Sequence, residues 1–285
     1  MDEQAVESQL PSRIVFAGDK GEDLADIVFD DDDLPKVDLL QLDRVETSYL
    51  TSFREALSCA RETGLVDTLS KIHNRALGDV NWQRTIATWE GPRFAKECGY
   101  LSGVLRTEIP TQLTIASAEN ALVYYPPVGK PIADFLSQLE AMFDCRIKLL
   151  DRASPEYFKL AAEVSLMVFL THPFVGGNKR TIRPLTNYIL TRGGLTGRWL
   201  EGDGVFKKSF KEAWVGLARK FQQETNIESP ADSQDYSRVW YDYWLQKLRD
   251  GEIGNSTEVE ILAEAIRQAP YYDYALMQKV KSSDD

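Results

Sequence analysis

A chain of 285 residues, 43% of them hydrophobic, is long enough for one large domain or two smaller ones and can fill a substantial core. Its 33 basic against 44 acidic residues leave a formal charge of -11, which opposes nonspecific attraction to nucleic acid or to an anionic membrane. No apolar run approaches the roughly 18 residues of a membrane span, and the opening Met1-Asp-Glu-Gln-Ala is acidic where a signal peptide would be basic. A cytoplasmic place of synthesis is therefore expected, with secretion as an effector left open. Cys59, Cys98 and Cys145 form no CxxC pair and read as reduced core thiols.

Residues 1–41 are polar and irregular, and the run Asp30-Asp-Asp-Asp33 before Leu34-Pro35 reads as a solvated arm and linker. From Leu42, the apolar positions Val45, Tyr49, Phe53, Ala56, Leu57 and Ala60 recur at three and four and predict a helix that stops at Gly64. A second helix is expected from about Asp67, with Leu69, Ile72 and Leu77 on one side. The tract from Arg106 to Tyr125 holds Leu113, Ile115, Leu122, Val123 and Tyr124 around polar Ser117-Ala-Glu-Asn120, which predicts a β-hairpin. Ile132, Phe135, Leu136, Leu139, Met142 and Phe143 then mark an amphipathic helix.

Ser154-Pro155 has the form of an N-cap and first-turn proline for a segment, Tyr157 to Thr171, that is apolar on most faces and so belongs at the centre of a domain. Leu185, Tyr188, Ile189 and Leu190 continue a helix that Gly193-Gly194 ends, and Phe206 to Phe221 predicts another. Residues 226–285 form a C-terminal helical extension. Within it, Tyr236, Trp240, Tyr243, Trp244 and Leu248 share one face, and a short helix is expected from Thr257 to Arg267. The aromatic stripe is read as packing rather than a ligand box, with a homodimer or partner contact through this helix left open.

The chemistry concentrates in His172-Pro-Phe-Val-Gly-Gly-Asn-Lys-Arg-Thr-Ile-Arg183. A buried helix ending at His172 sets an imidazole of near-neutral pKa at the mouth of a turn, suited to taking a proton from a hydroxyl. Gly176 and Gly177 allow positive φ and close approach, so that N–H groups converge on a phosphate at the start of the next helix. Asn178, Lys179, Arg180 and Arg183 supply an amide and three cations within its first turns.

This motif resembles the signature of Fic domains, which usually transfer AMP from ATP to a hydroxyl side chain of a target protein. Ile72-His73, Gly103-x-x-Arg106 and Val123-Tyr-Tyr-Pro-Pro127 are similar to further family features, and the resemblance extends over residues 42–225. It implies a mainly α fold, a Fic-type helical bundle with a β-hairpin flap over the nucleotide site. It implies His172 as general base, Gly176, Gly177, Asn178 and Lys179 around the phosphates, and Arg180 and Arg183 on the outgoing phosphates. Thr114 and Ile115 of the flap would bind the target backbone by strand addition, and Arg106 would be a structural or flap residue rather than a catalyst. The implied substrate is ATP and the implied partner a protein carrying a Ser, Thr or Tyr hydroxyl, with neither nucleic acid nor membrane.

Two departures widen the expected chemistry. Gly176 stands where the family usually has the Asp or Glu that holds magnesium, so the metal's usual protein ligand is absent unless Glu201 or Asp203 substitutes, and no protein metal site is assigned. Lys179 stands where adenylylating members usually have glycine and resembles the Doc branch, which transfers the γ-phosphate. AMP transfer, a Doc-like kinase and a catalytically impaired binding module are all compatible with these residues. Pro11-Ser-Arg-Ile-Val-Phe16 and Thr85-Ile-Ala-Thr-Trp-Glu90-Gly91 bear only a loose likeness to the family's inhibitory segment, and intact built-in inhibition is not expected.

Overall fold

A computed structural model of the chain describes residues 64–77, 102–106, 113–115, 122–198, 200, 205–232 and 235–271. The expected helix from Leu42, the acidic arm, Cys59, Cys98, Glu201, Asp203 and both tracts compared with an inhibitory segment lie outside these residues. The described part is mainly α, with one two-stranded antiparallel pair.

Helix α1, Leu65–Leu77, buries Leu65, Leu69 and Ile72, the spacing of one helical face. Its first turn leaves N–H groups without intrahelical acceptors, and the Glu140 carboxylate takes the one on Val66 at 3.1 Å. Gly64 makes room for that contact, since a Cβ there would lie 2.2 Å from Glu140 Oε1. Strands β1, Leu113–Ile115, and β2, Leu122–Tyr124, pair as Leu113 with Tyr124, Thr114 with Val123 and Ile115 with Leu122. In β2 the burial alternates, Leu122 and Tyr124 inward and Val123 outward, as the two-residue period requires.

Helix α2, Lys130–Leu149, carries Pro131 in its first turn and buries Ile132, Phe135, Leu136, Leu139 and Phe143. Cys145 projects from its exposed side, so this cysteine is not the core thiol expected from sequence. It sits two residues past Phe143, off the buried face.

Helix α3, Glu156–Thr171, is the centre of the molecule: every residue from Leu160 to Thr171 is buried. Ser154 Oγ accepts the Glu156 N–H at 3.3 Å, and the chain turns into the helix through Tyr157 N–H to Ser154 O and Phe158 N–H to Pro155 O. Most buried polar groups of α3 have partners: Ser165 Oγ lies 2.8 Å from Thr186 Oγ1, Thr171 Oγ1 donates to Met167 O, and Glu163 pairs through Oε2 with Arg146, while its Oε1 has no hydrogen-bond partner among the described residues. Burial raises the Glu163 pKa, opposed by the Arg146 charge.

Helix α4, Asn178–Arg192, packs along α3 and α1, and ends where Gly194 at φ 80 lets Leu195 N–H reach Leu190 O at 2.9 Å. Helix α5, Val205–Thr225, helix α6, Tyr236–Arg249, and helix α7, Thr257–Gln268, complete the described core. Ser256 caps α7 by accepting the Val259 N–H. Helix α7 lies on both α3 and α5, and α6 lies on α2. No described helix is long and apolar enough to cross a membrane.

Candidate functional site

His172 is the first residue beyond α3, in the left-handed conformation at φ 48 and ψ 61, with its N–H still bonded to Val168 and Phe169 carbonyls. A non-glycine residue in this region costs energy, so the surroundings must hold it there. Arg106 does so. Its buried guanidinium donates through Nε to His172 O at 2.6 Å and through one terminal nitrogen to Pro127 O at 2.6 Å and Thr171 O at 3.2 Å. Its backbone N–H donates to Pro173 O at 2.8 Å. A cation on the last carbonyls of a helix also complements the negative end of its dipole. Arg106 is thus structural, as the sequence led us to expect, and it ties the chain leaving the flap to the end of α3.

The His172 ring is 4% exposed and meets the Phe169 ring edge-on. Its Nδ1 is buried, with no hydrogen-bond partner among the described residues. Burial, then the charges of Arg106 and Lys179, hold its pKa well below that of a free imidazole. The near-neutral value expected from sequence is therefore corrected: the ring stays neutral, and it is a weaker base than a solvated histidine.

From Pro173 to Gly177 the chain makes a buried turn whose geometry is set by two side chains. Asn178 Oδ1 accepts the Phe174 N–H at 3.0 Å while its Nδ2 donates to Phe174 O at 2.9 Å, which closes the loop on itself. The Asn178 amide is therefore committed to the turn. His73 of α1 stacks on Phe174, with ring centroids 3.8 Å apart, and lies 3.0 Å from Gly176 O.

Gly177 is left-handed, at φ 71 and ψ 10, and needs glycine's freedom; Gly176 is not among the positive-φ residues. Only one of the two glycines is thus required by backbone conformation. A left-handed residue followed by a helical one converges successive N–H groups, and the first turn of α4 adds its own. Lys179 is half-buried, Arg180 buried and Arg183 half-buried. The Lys179 charge bears on His172 and the Arg180 charge on His73.

Pro184 falls inside α4 and cannot donate to the carbonyl four residues back, that of Arg180. Thr181 reinforces the turn before it, with both N–H and Oγ1 bonded to Gly177 O.

Thr114 and Ile115 lie in β1 as expected, paired to β2 on one edge. Strand β2 is fixed from behind: the buried Tyr124 hydroxyl accepts from Trp240 Nε1 and from Trp244 Nε1, the latter at 3.2 Å. Gln222 donates to Val123 O at 2.7 Å and Tyr236 to Tyr125 O. The rings of Trp240 and Trp244 are thereby taken up inside the chain.

His73 and Tyr124 are the residues that sequence reasoning left without a role. The signal for His73 was present, a polar residue beside Ile72 on the apolar face of a helix in a chain with only two histidines. Among the described residues no three His, Cys, Asp or Glu side chains come together to hold a metal ion, and Gly176 brings no carboxylate.

A profile described as the Fic/DOC family matches residues 66–190. No curated protein matches the chain by sequence. Among solved structures, a Fic-domain-containing signaling protein from Bacteroides thetaiotaomicron is 15% identical at TM-score 0.47, covering 82% of this chain and 76% of that one. The VirB-translocated effector BepC from Bartonella tribocorum, solved with bound AMPPNP, is 18% identical at TM-score 0.45, covering 80% of this chain and 87% of that one. A Fic-1 fragment from C. elegans is 16% identical at TM-score 0.41, covering 88% of this chain and 54% of that one. The matched residues 66–190 run from α1 through the strand pair, α2 and α3 into α4, and over them the chain is similar to the Fic/DOC family.

Proposed function

We propose that this chain is a Fic-family transferase that moves AMP, or a related phosphate-linked group, from ATP to a hydroxyl side chain of a target protein. The observation that carries the reading is the turn itself: His172 at the end of a buried helix, a left-handed Gly177, and a helix start bearing Lys179, Arg180 and Arg183. The N–H groups of Gly177, Asn178 and Lys179 hold the phosphates, with Arg180 and Arg183 on those that leave. A serine, threonine or tyrosine hydroxyl, presented along Thr114 and Ile115, gives its proton to the His172 ring. Its oxygen bonds to the α-phosphorus as the bond to the bridging oxygen breaks, and pyrophosphate departs with that electron pair. No step is assigned to a protein-held metal.

A second reading rests on Gly176, which removes the acidic side chain while leaving the nest intact: a nucleotide- or protein-binding module without turnover. Lys179 favours transfer of the γ-phosphate instead. The test is incubation of wild type and His172→Ala with ATP labelled at the α or the γ position, in magnesium and in manganese, with lysate. His172-dependent label from the α position alone is the expected result. Label from γ alone replaces AMP transfer by kinase activity, and absence of His172-dependent label under every condition leaves the binding module.

A further inference from the structure

The unassigned group nearest the turn is the His73 ring, which is completely buried and belongs to an element 103 residues upstream of Gly176. The Gly103 backbone N–H donates to His73 Nδ1 at 2.9 Å. A nitrogen that accepts carries no proton, so in the neutral ring the proton is on Nε2, and Nε2 donates to Gly176 O at 3.0 Å. Stacking on Phe174 fixes the ring plane. The ring is thus held from three directions.

That acceptor matters because Gly176 O and the Gly177 N–H belong to the same peptide unit. The chain has no cis peptide bond among the described residues, so the carbonyl and the N–H of this unit point opposite ways. A carbonyl drawn toward α1 turns the Gly177 N–H away from α1. Gly177, left-handed and free of a Cβ, has a soft backbone that other orientations of this peptide would also satisfy. Something other than local sterics must choose between them.

We propose that His73 is a positioning residue for the anion site, a fixed donor that captures the Gly176 carbonyl and so aims the Gly177 N–H at the phosphate of the bound nucleotide. The inference rests on the phosphate-turn reading above and adds to it the device that preorganises the nest. It assigns to α1 a part in nucleotide affinity although His73 touches no ligand. Only the Nε2-protonated neutral ring serves, because the other neutral tautomer would set a lone pair against the Gly176 lone pairs.

The test uses the full chain in three forms: wild type, His73→Phe and His73→Gln. Phenylalanine keeps the stack on Phe174 and loses both hydrogen bonds, whereas glutamine can restore a donor to Gly176 O. Folding of each is checked by cooperative thermal unfolding and ADP affinity by calorimetry. Affinity is expected to fall about tenfold or more in His73→Phe, the scale of one misaimed donor, and to recover to within about threefold of wild type in His73→Gln. In the ligand-free wild type, nitrogen NMR of the ring is expected to show the proton on Nε2. A folded His73→Phe that binds ADP as wild type does, or a ring protonated on Nδ1, overturns the inference alone. A wild type that binds no ADP overturns the anion site and this inference with it. Should His73→Phe fail to fold, the decision passes to His73→Gln and the NMR signature, where weak ADP binding by a folded glutamine variant counts against the inference.

Discussion

Between pH 6.5 and about 4, the buried His73 ring stays neutral in the fold while an imidazole in the unfolded chain takes a proton. Burial is the main cause of the lowered pKa; the bond to Gly176 O acts in the opposite direction, and the Arg180 charge lowers it further. The sign follows from proton counting: the unfolded state binds more protons in this window, so stability rises with pH across it. The contribution is fully present above 6.5 and is lost as pH falls toward 4, at about 3 kcal/mol for His73. His172, lowered in the same sense, adds to it. Urea midpoints of wild type and His73→Gln at pH 7 and pH 4.5 check this; the wild type should lose more stability on acidification. The same burial keeps His172 deprotonated, so the acid limb of any His172-dependent activity should lie well below pH 6.5. Gly176 makes a separate prediction. Its backbone does not require glycine, so Gly176→Asp should fold and should make nucleotide binding more magnesium-dependent, by about tenfold, measured by calorimetry with and without the metal.

At the scale of elements, the hydroxyl of Tyr124 joins the flap strand β2 to helix α6, accepting from two buried indoles. Tyr124→Phe removes the acceptor and leaves two donors buried, which should cost on the order of 2–3 kcal/mol in chemical denaturation. An unchanged midpoint would mean that water replaces the hydroxyl. Helices were legible in sequence because apolar positions recur at three and four: Ile132 through Phe143 and Tyr236 through Leu248 are buried as the spacing predicts, with Met142 and Tyr243 at the margin. The glycine stop after α4 was an equally local signal. What stayed hidden depends on contacts distant in sequence. The bonds from His73 to Gly176, Arg106 to His172 and Trp240 to Tyr124 cross 103, 66 and 116 residues, and no periodicity reports them. Cys145 was misplaced because hydrophobic residue type was read without its position on the helix. Nor does the sequence show that the Asn178 amide closes the loop on Phe174.

For the whole molecule, the C-terminal helices are part of the core that carries the site. Helix α7 buries Val259, Leu262 and Ile266 against α3 and α5, and Gly216 of α5 comes so close that a Cβ would lie 2.8 Å from Glu258. Gly254 approaches Glu163 in the middle of α3 in the same way, at 2.9 Å. Burying each large apolar side chain contributes roughly 1.5–3 kcal/mol, so losing Trp240, Trp244, Val259, Leu262 and Ile266 together removes an amount comparable with the usual net stability of a domain. A chain ending at residue 225 should therefore lose cooperative thermal unfolding; a sharp transition near that of wild type would contradict this. The central claim is that the turn between α3 and α4 binds phosphate. It is tested most directly by a crystal structure of the wild-type chain grown with ADP. The account predicts phosphate oxygens within hydrogen-bond distance of the Gly177, Asn178 and Lys179 N–H groups, with the His172 ring facing them, and phosphates bound elsewhere or a nucleotide-free turn at saturating ADP would contradict it.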